Sequence, residues 1–432
     1  MAGHSRRQLT GIFTLFAAGY FLSYSFRSIG PLIAPDLMRD IALDANRLGL
    51  LASVYFLTFA IAQPVIGIAM DRHGPARVNA MLFTIAAAGA ALFAWSESLA
   101  GLAIGRGLIG FGVAGALMTS FKAFVIWYEP RHREVLTGAM MAVGGVAAMM
   151  VSIPAELLMR VVGWRGMFWL LGGASNLAAA ALWWRVPAMH GAENGSHSAS
   201  STADSDDYRA DGLGANTTIG CRDIVTSRIF LSYLPLALFG SGGFSAIQSL
   251  WAGPWLIEVA GHTRAAAAQV LFVYGFALLL GYFGIGMLGA RIASSATAPR
   301  RWYIGSLAVA FAALAAIISN LWPASSAPWF VYGLTLGASM LAYPALTKAF
   351  PAAIAGRVVT AYNFVMFAGA FALQWSMGAL IQALLDGGAA KEFAYQCAFG
   401  ATLVAQVLSL IWFWGLSRGD LRSAHQHDEA AP

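Results

Sequence analysis

The chain has 432 residues, of which 59% are hydrophobic and only 11% charged, and its net charge is +6. Soluble domains carry roughly 25% charge, so the composition excludes an ordinary water-soluble protein. The basic excess is read as membrane topology, with Lys and Arg collecting in cytoplasmic loops, and not as a nucleic-acid surface.

Twelve apolar stretches follow one another, at 11–34, 47–69, 77–96, 99–127, 137–160, 165–186, 228–258, 265–289, 302–322, 327–348, 358–384 and 392–416. Each is about as long as the ~20 residues a helix needs to cross a bilayer core of ~30 Å. Backbone in lipid must satisfy its own hydrogen bonds, which leaves helices or closed barrels. These runs are too long and too uniformly apolar for barrel strands. The predicted fold is therefore an all-α integral membrane protein with 12 transmembrane helices in two pseudo-symmetric six-helix bundles. The expected divisions are an N-terminal bundle (1–187), a flexible cytoplasmic linker (188–223), a C-terminal bundle (224–418) and a disordered cytoplasmic tail (419–432).

With the N-terminus cytoplasmic, inner loops, tails and helix ends hold 17 of the 26 Lys and Arg, and outer ones hold six. The positive-inside rule then sets both termini in the cytoplasm. No cleavable signal peptide is expected, because Arg6 and Arg7 precede an apolar stretch long enough to remain as a helix.

Span 1 carries Tyr20, Tyr24 and Arg27 at i, i+4, i+7, on one helical face. No carboxylate lies elsewhere in the core of that span. An Arg at the bilayer centre costs at least ~2.5–3.5 kcal/mol, so it should face a cavity or a partner. Two phenols and a guanidinium can bind a carboxylate or phosphate through charge-assisted bonds. The alternative is a structural Arg bonded to backbone carbonyls or Tyr hydroxyls.

The loop after span 2 reads Gly67-Ile68-Ala69-Met70-Asp71-Arg72-His73-Gly74-Pro75-Ala76-Arg77. Gly67 and Gly74 allow close approach or positive φ. Asp71 can face the positive N-terminus of span 11, near Arg357 to Thr360. Arg72 and Arg77 can reach Glu129 or Glu134. Such contacts would gate the cytoplasmic side. Span 4 holds Arg106, with Gly110 and Gly112 after it, and ends near Lys122. Arg106 is a packing, gating or coupling candidate. Lys122 either snorkels to the interface or adds a cation at the cavity floor. Glu156 in span 5 is the carboxylate placed deepest within a span, near its outer end, and is a candidate proton or cation site.

The polar stretch after span 6 is rich in Ser, Asp and Gly and has little to bury. In the second half, Gln248, Trp251, Tyr343, Asn363, Gln374 and Trp375 are candidate lining residues opposite Arg27. Span 4 ends in Phe121-Lys122-Ala123-Phe124 and span 10 in Thr347-Lys348-Ala349-Phe350. This echo suggests duplicated halves, an arrangement that puts solute sites near the midplane between them.

The Gly67–Arg77 loop, the Arg106-x-x-x-Gly110-x-Gly112 run and the outer turn Gly163-Trp164-Arg165-Gly166-Met167-Phe168 resemble three motifs of the major facilitator superfamily, each in its proper place. The resemblance implies a secondary transporter that rocks two bundles around a central cavity. A span-1 Arg behind tyrosines resembles the organophosphate:phosphate antiporters and related anion carriers, although span 7 offers Gln248 where those families use a basic residue.

The expected activity is secondary transport of a small anion, with a proton or a counter-anion as coupling ion. Mono- or dicarboxylates, nitrate-like anions, organic phosphates and chelated metals remain open as substrates. An exporter of hydrophobic compounds is the rival within transport, and a non-transporting sensor or membrane scaffold is the rival outside it. No nucleophile–base pair, metal motif or phosphate loop stands in a plausible place, so neither an enzyme nor a cofactor or metal is expected. The expected setting is a monomer in the bilayer of a bacterial inner membrane, with no nucleic-acid partner.

Overall fold

The computed structural model describes residues 6–186, 221–293, 298–347, 349–351 and 354–428. Most of the expected linker, and Lys348, fall outside the described residues. The fold is all-helical and built for the membrane: ten helices among the described residues are long and apolar enough to cross it.

The remaining two segments of the twelve, spans 5 and 10, are present but interrupted. Span 5 runs over Pro130–Met150, turns at Val151 and Ser152, and continues from Ile153. It meets span 6 at Gly163, whose φ of 68° makes the reversal. Span 10 was expected to be one helix. It is Ala327–Leu336, a 3-10 segment Gly337–Leu341, then Ala342–Thr347.

Span 1 also departs from the continuous helix expected. It breaks after Arg6–Ser28 and resumes at Gly30–Asp40. Pro31 has no N–H to return to the Arg27 carbonyl, so the ladder cannot run through this point. Span 4 breaks likewise between Leu99–Val113 and Ala116–Trp127. The carbonyls at that break are met by side chains: Ser23 Oγ donates to Val113 at 3.1 Å and Gln63 Nε2 to Ala114 at 3.2 Å. Such donors satisfy groups that lipid cannot.

Span 2 is Ala45–His73, capped by Asp44, which accepts from the Arg47 N–H at 2.7 Å. It packs along span 11, Ala355–Asp386. Span 3 is Pro75–Trp95, span 7 Arg228–Glu258, span 8 Arg264–Ala293, span 9 Ala298–Ser319 and span 12 Lys391–Asp428. The last helix thus runs on into the segment expected to be a disordered tail. Span 7 contains two π-helical stretches, Leu236–Ser241 and Ile247–Trp251. Such wide turns recur at functional sites.

The halves are held shut at the ends expected to face outward. A Cβ on Gly30 would lie 1.9 Å from the Ser249 carbonyl oxygen, so span 1 touches span 7 backbone to backbone. Arg264, at the start of span 8, forks onto Asp36 at 2.7 and 2.9 Å. The Trp375 indole donates to Asn46 at 2.9 Å, and the Ala45 N–H donates to Gln382 Oε1 at 3.2 Å.

Asp40, the exposed last residue of the Gly30–Asp40 helix and beyond the expected end of span 1 at residue 34, accepts from the Trp164 indole at 3.0 Å and from Arg39 at 2.9 Å. These two bonds, the Trp164 bond first, hold its carboxyl below the usual carboxylate range. Stability from a depressed carboxyl is present above the unfolded pKa and is lost as pH falls through the folded value. Trp164→Phe removes the larger cause. The variant should melt lower than the wild type near neutral pH and lose less further stability between pH 5 and pH 2, because a carboxyl nearer its unfolded value has less to surrender, read from melting curves taken across pH 2–7.

Candidate functional site

Arg27 sits at the last turn of the first helix, just before the span-1 break. Its guanidinium points into the seam between the halves. Nη2 donates to Ser245 Oγ of span 7 at 2.7 Å. The guanidinium carbon lies 5.7 Å from the Tyr24 ring, 5.6 Å from Phe56 of span 2 and 5.5 Å from Phe367 of span 11. Each ring face attracts the cation, by about 0.5–2 kcal/mol when desolvated. No carboxylate forms an ion pair with Arg27 among the described residues. Its Nε is buried without a hydrogen-bond partner. The guanidinium is therefore neither against lipid headgroups nor neutralised.

The rest of the expected constellation divides. Tyr20 meets Tyr24 edge to face at 6.1 Å. Gly144 of span 5 lies against both rings. Gln248 Nε2 donates to the Tyr24 hydroxyl at 3.0 Å, and Gln248 Oε1 is buried without a partner. Arg27, Tyr24, Tyr20 and Gln248 are thus one contiguous group across the seam.

Tyr343 and Asn363 form a separate pair, the hydroxyl donating to Asn363 Oδ1 at 2.6 Å. Trp251 and Gln374 pack together where spans 7 and 11 meet span 2. The Trp251 indole donates to the Gln374 backbone carbonyl at 3.0 Å, while Ser249 donates to Gln374 Oε1 at 2.9 Å. Trp251 is fully buried, with its ring against Gly49 and Gly378. Trp375 is half exposed near the outer end and tied to Asn46.

Sequence reasoning missed Ser245, Phe56 and Phe367. The two Phe residues, in the expected spans 47–69 and 358–384, carried little signal, because spans 2 and 11 are not counterparts in the duplicated halves and an aromatic in an apolar run reads as packing. Their rings lie 6.0 Å apart and nearly parallel, at 19°. Ser245 carried none, because a small hydroxyl in an apolar helix reads as packing.

Comparison with known proteins follows from this geometry. The family model of the Major Facilitator Superfamily matches residues 15–373. The chain belongs to the major facilitator superfamily. Among curated relatives, the hexuronate transporter of Escherichia coli (strain K12) is 25% identical over 169 residues, 39% of this chain and 39% of that one. The galacturonate transporter of Dickeya chrysanthemi is 26% identical over 172 residues, 39% of this chain and 49% of that one. A probable sugar efflux transporter of Helicobacter pylori (strain G27) is 21% identical over 281 residues, 64% of this chain and 65% of that one. The matched segment spans less than half the length of the first two relatives.

In fold, the chain is similar to a bacterial homologue of the human lysosomal transporter Spinster, solved in an inward-facing and occupied conformation. The TM-score is 0.72 at 16% identity, over 96% of this chain and 98% of that one. A D-xylose–proton symporter gives a TM-score of 0.69, also at 16% identity, over 94% and 97%.

The superfamily's signature loop is wired differently from expectation. Asp71 at the end of span 2 is bound by Lys122 Nζ of span 4 at 2.5 Å, a partner within its own half. The Lys122 stem thus carries its ammonium out to an exposed carboxylate at the end of span 2. Arg77 lies over the Trp183 ring at 5.8 Å, Arg72 is exposed, and Glu129 pairs with Arg131 at 2.7 Å. The Glu134 side chain lies outside the described residues. Gly74 takes φ 77° as the span-2 cap. A Cβ on Gly67 would meet open space.

Arg106, at 3% exposure, donates to the Phe26 carbonyl at 3.1 Å and lies 5.0 Å from the Tyr55 ring. It satisfies the backbone at the span-1 break, one residue before Arg27. Glu156 is buried and paired with Arg160, itself half exposed, at 2.8 Å.

The Asp71–Lys122 pair is solvent-accessible, with side-chain exposures of 77% and 29%. Exposed pairs contribute about 0–1 kcal/mol. Lys122→Ala should therefore leave the melting temperature of the purified protein within a few degrees of the wild type.

Proposed function

We propose that this transporter carries a small hydroxylated monocarboxylate of the sugar-acid class by alternating access, with Arg27 as the clamp on the carboxylate. The observation that carries the reading is the Arg27 guanidinium, placed in the seam between halves with its Nε buried and unpartnered and no carboxylate paired to it. A cation taken out of water without a counter-charge is costly, and a solute that brings a carboxylate supplies that charge. Gln248 Oε1, the neighbouring unpartnered acceptor, suits a solute hydroxyl. One cation and neutral partners from span 7 favour a monoanion over a dianion.

Two of the relatives carry hexuronate or galacturonate in their names, which supports the same class. The Helicobacter relative, matched over a longer stretch, favours a neutral sugar as the second reading. The guanidinium, with no carboxylate paired to it, favours the first reading, because a neutral sugar leaves it without a counter-charge. The reading includes two bundles, 1–187 and 224–418, joined by a cytoplasmic linker. It also places the protein in a bacterial inner membrane with both termini in the cytoplasm.

The test is uptake into vesicles reconstituted with purified protein, using galacturonate, galactose, a dicarboxylate and an organic phosphate. Saturable uptake of galacturonate above the other three is expected. Saturable uptake of galactose in preference to galacturonate would overturn the anion assignment in favour of sugar efflux.

A further inference from the structure

The Arg27 guanidinium has one edge on which Nε–H and an Nη2–H run parallel, the fork that takes both oxygens of a carboxylate. On this edge Nη2 is bonded to Ser245 Oγ at 2.7 Å, and Nε has no partner. Ser245 is 1% exposed and comes from span 7, in the opposite half. Its own proton is committed to the Ser241 carbonyl at 2.9 Å, so its oxygen is free to accept. The two π-helical stretches, ending at Ser241 and beginning at Ile247, flank the short α-helical turn that carries it.

We infer that Ser245 Oγ is a placeholder: it occupies the position of one substrate carboxylate oxygen in the empty carrier and must be displaced for the anion to bind. This rests on the anion reading proposed above and extends it to a residue that sets affinity. A hydroxyl oxygen satisfies one tine of the fork and leaves the other bare. A carboxylate satisfies both, and with full charge. Substrate arrival thereby exchanges a weak bond between the halves for a stronger one to the solute. The released Ser245 hydroxyl is then available to the substrate's own hydroxyl groups. Tyr24 and the Phe56 and Phe367 rings hold the guanidinium in place during the exchange.

A supporting side chain and a competing one predict opposite signs. The experiment titrates galacturonate and propionate into purified full-length protein by calorimetry, for the wild type, Ser245→Ala, Ser245→Thr and Ser245→Asp. If Ser245 competes for the fork, Ser245→Ala tightens propionate, which has no hydroxyl to bond, by roughly three- to tenfold. Galacturonate, which also loses a hydroxyl contact in this variant, tightens less. Ser245→Thr, which keeps the hydroxyl, follows the wild type. Ser245→Asp supplies a permanent carboxylate, so it abolishes binding of both acids while raising the melting temperature.

Weaker or unchanged propionate binding in Ser245→Ala overturns the placeholder role, as does a lowered melting temperature in Ser245→Asp. Should Ser245→Ala not be recovered folded, Ser245→Gly carries the same comparison. Arg27→Ala, titrated alongside, separates the two claims. If that variant binds both acids like the wild type, the anion reading itself fails. If it loses them while Ser245→Ala also weakens them, the placeholder alone is rejected.

Discussion

Arg27→Ala is expected to abolish saturable uptake of the anion, and Arg27→Lys to weaken its apparent affinity by roughly ten- to hundredfold, with both proteins still folded in the membrane. A hydrogen bond to a charged group contributes about 1.5–3 kcal/mol, and each 1.4 kcal/mol is about tenfold in affinity. Lys keeps the charge but presents a point donor in place of a planar fork. It also surrenders the contacts with the Phe56 and Phe367 rings, whose centroids lie 5.6 and 5.5 Å from the guanidinium carbon. Removing an unneutralised charge from the seam relieves a desolvation cost, so Arg27→Ala should melt no lower than the wild type. Concentration-dependent uptake, read beside melting curves, checks both halves of the expectation. Wild-type kinetics in Arg27→Ala would mean the guanidinium is structural.

Arg264→Gln is expected to open the outer face. Arg264 forks onto Asp36, whose side chain is only 7% exposed, and adds a 3.4 Å bond to the Leu32 carbonyl. Breaking a buried pair costs about 3–5 kcal/mol. Here the cost is nearer 2 kcal/mol, because Arg264 is 34% exposed and Arg39 still reaches Asp36 at 3.1 Å. That energy is present only while span 1 and span 8 are together. Losing about 2 kcal/mol shifts the ratio of closed to open outer faces roughly thirtyfold. The measurement is labelling of Leu250→Cys by a membrane-impermeant maleimide, with Cys221 and Cys397 replaced by Ser. Leu250 is 1% exposed, beside Gly30 and Ile33. Labelling should be slow in the parent and at least tenfold faster with Arg264→Gln. Equal rates would show that the backbone contact at Gly30 closes this face unaided.

The architecture was legible because it is dictated by solvent. Long apolar runs can only be helices in lipid, and the family motifs sat in the expected loops. What pattern could not show was where helices break. Pro31 interrupts span 1, yet Pro64 lies inside a continuous span 2. At the span-1 break Arg106 bonds the Phe26 carbonyl, a contact between helices that sequence pattern does not show.

The site was half legible. Arg27, Tyr20 and Tyr24 were found because helical spacing aligned them and because charge in lipid demands a reason. Trp251 and Gln374 were chosen for polarity alone, and the structure commits their polar groups to each other and to Ser249. The Asp36–Arg264 lock escaped because its two residues stand 228 positions apart in outer loops, where charge is ordinary. Lys122 was read from its own helix, whereas its partner, Asp71, lies 51 residues earlier.

The central claim is that an unneutralised guanidinium between the halves exists to receive the carboxylate of a transported solute. Calorimetric titration of galacturonate against galactose, which has the same ring without the carboxylate, tests it most directly. The account predicts that the wild type binds galacturonate at least tenfold more tightly than galactose, and that Arg27→Ala erases the difference. Equal affinities in the wild type, or a preference for galacturonate that survives in Arg27→Ala, would contradict it.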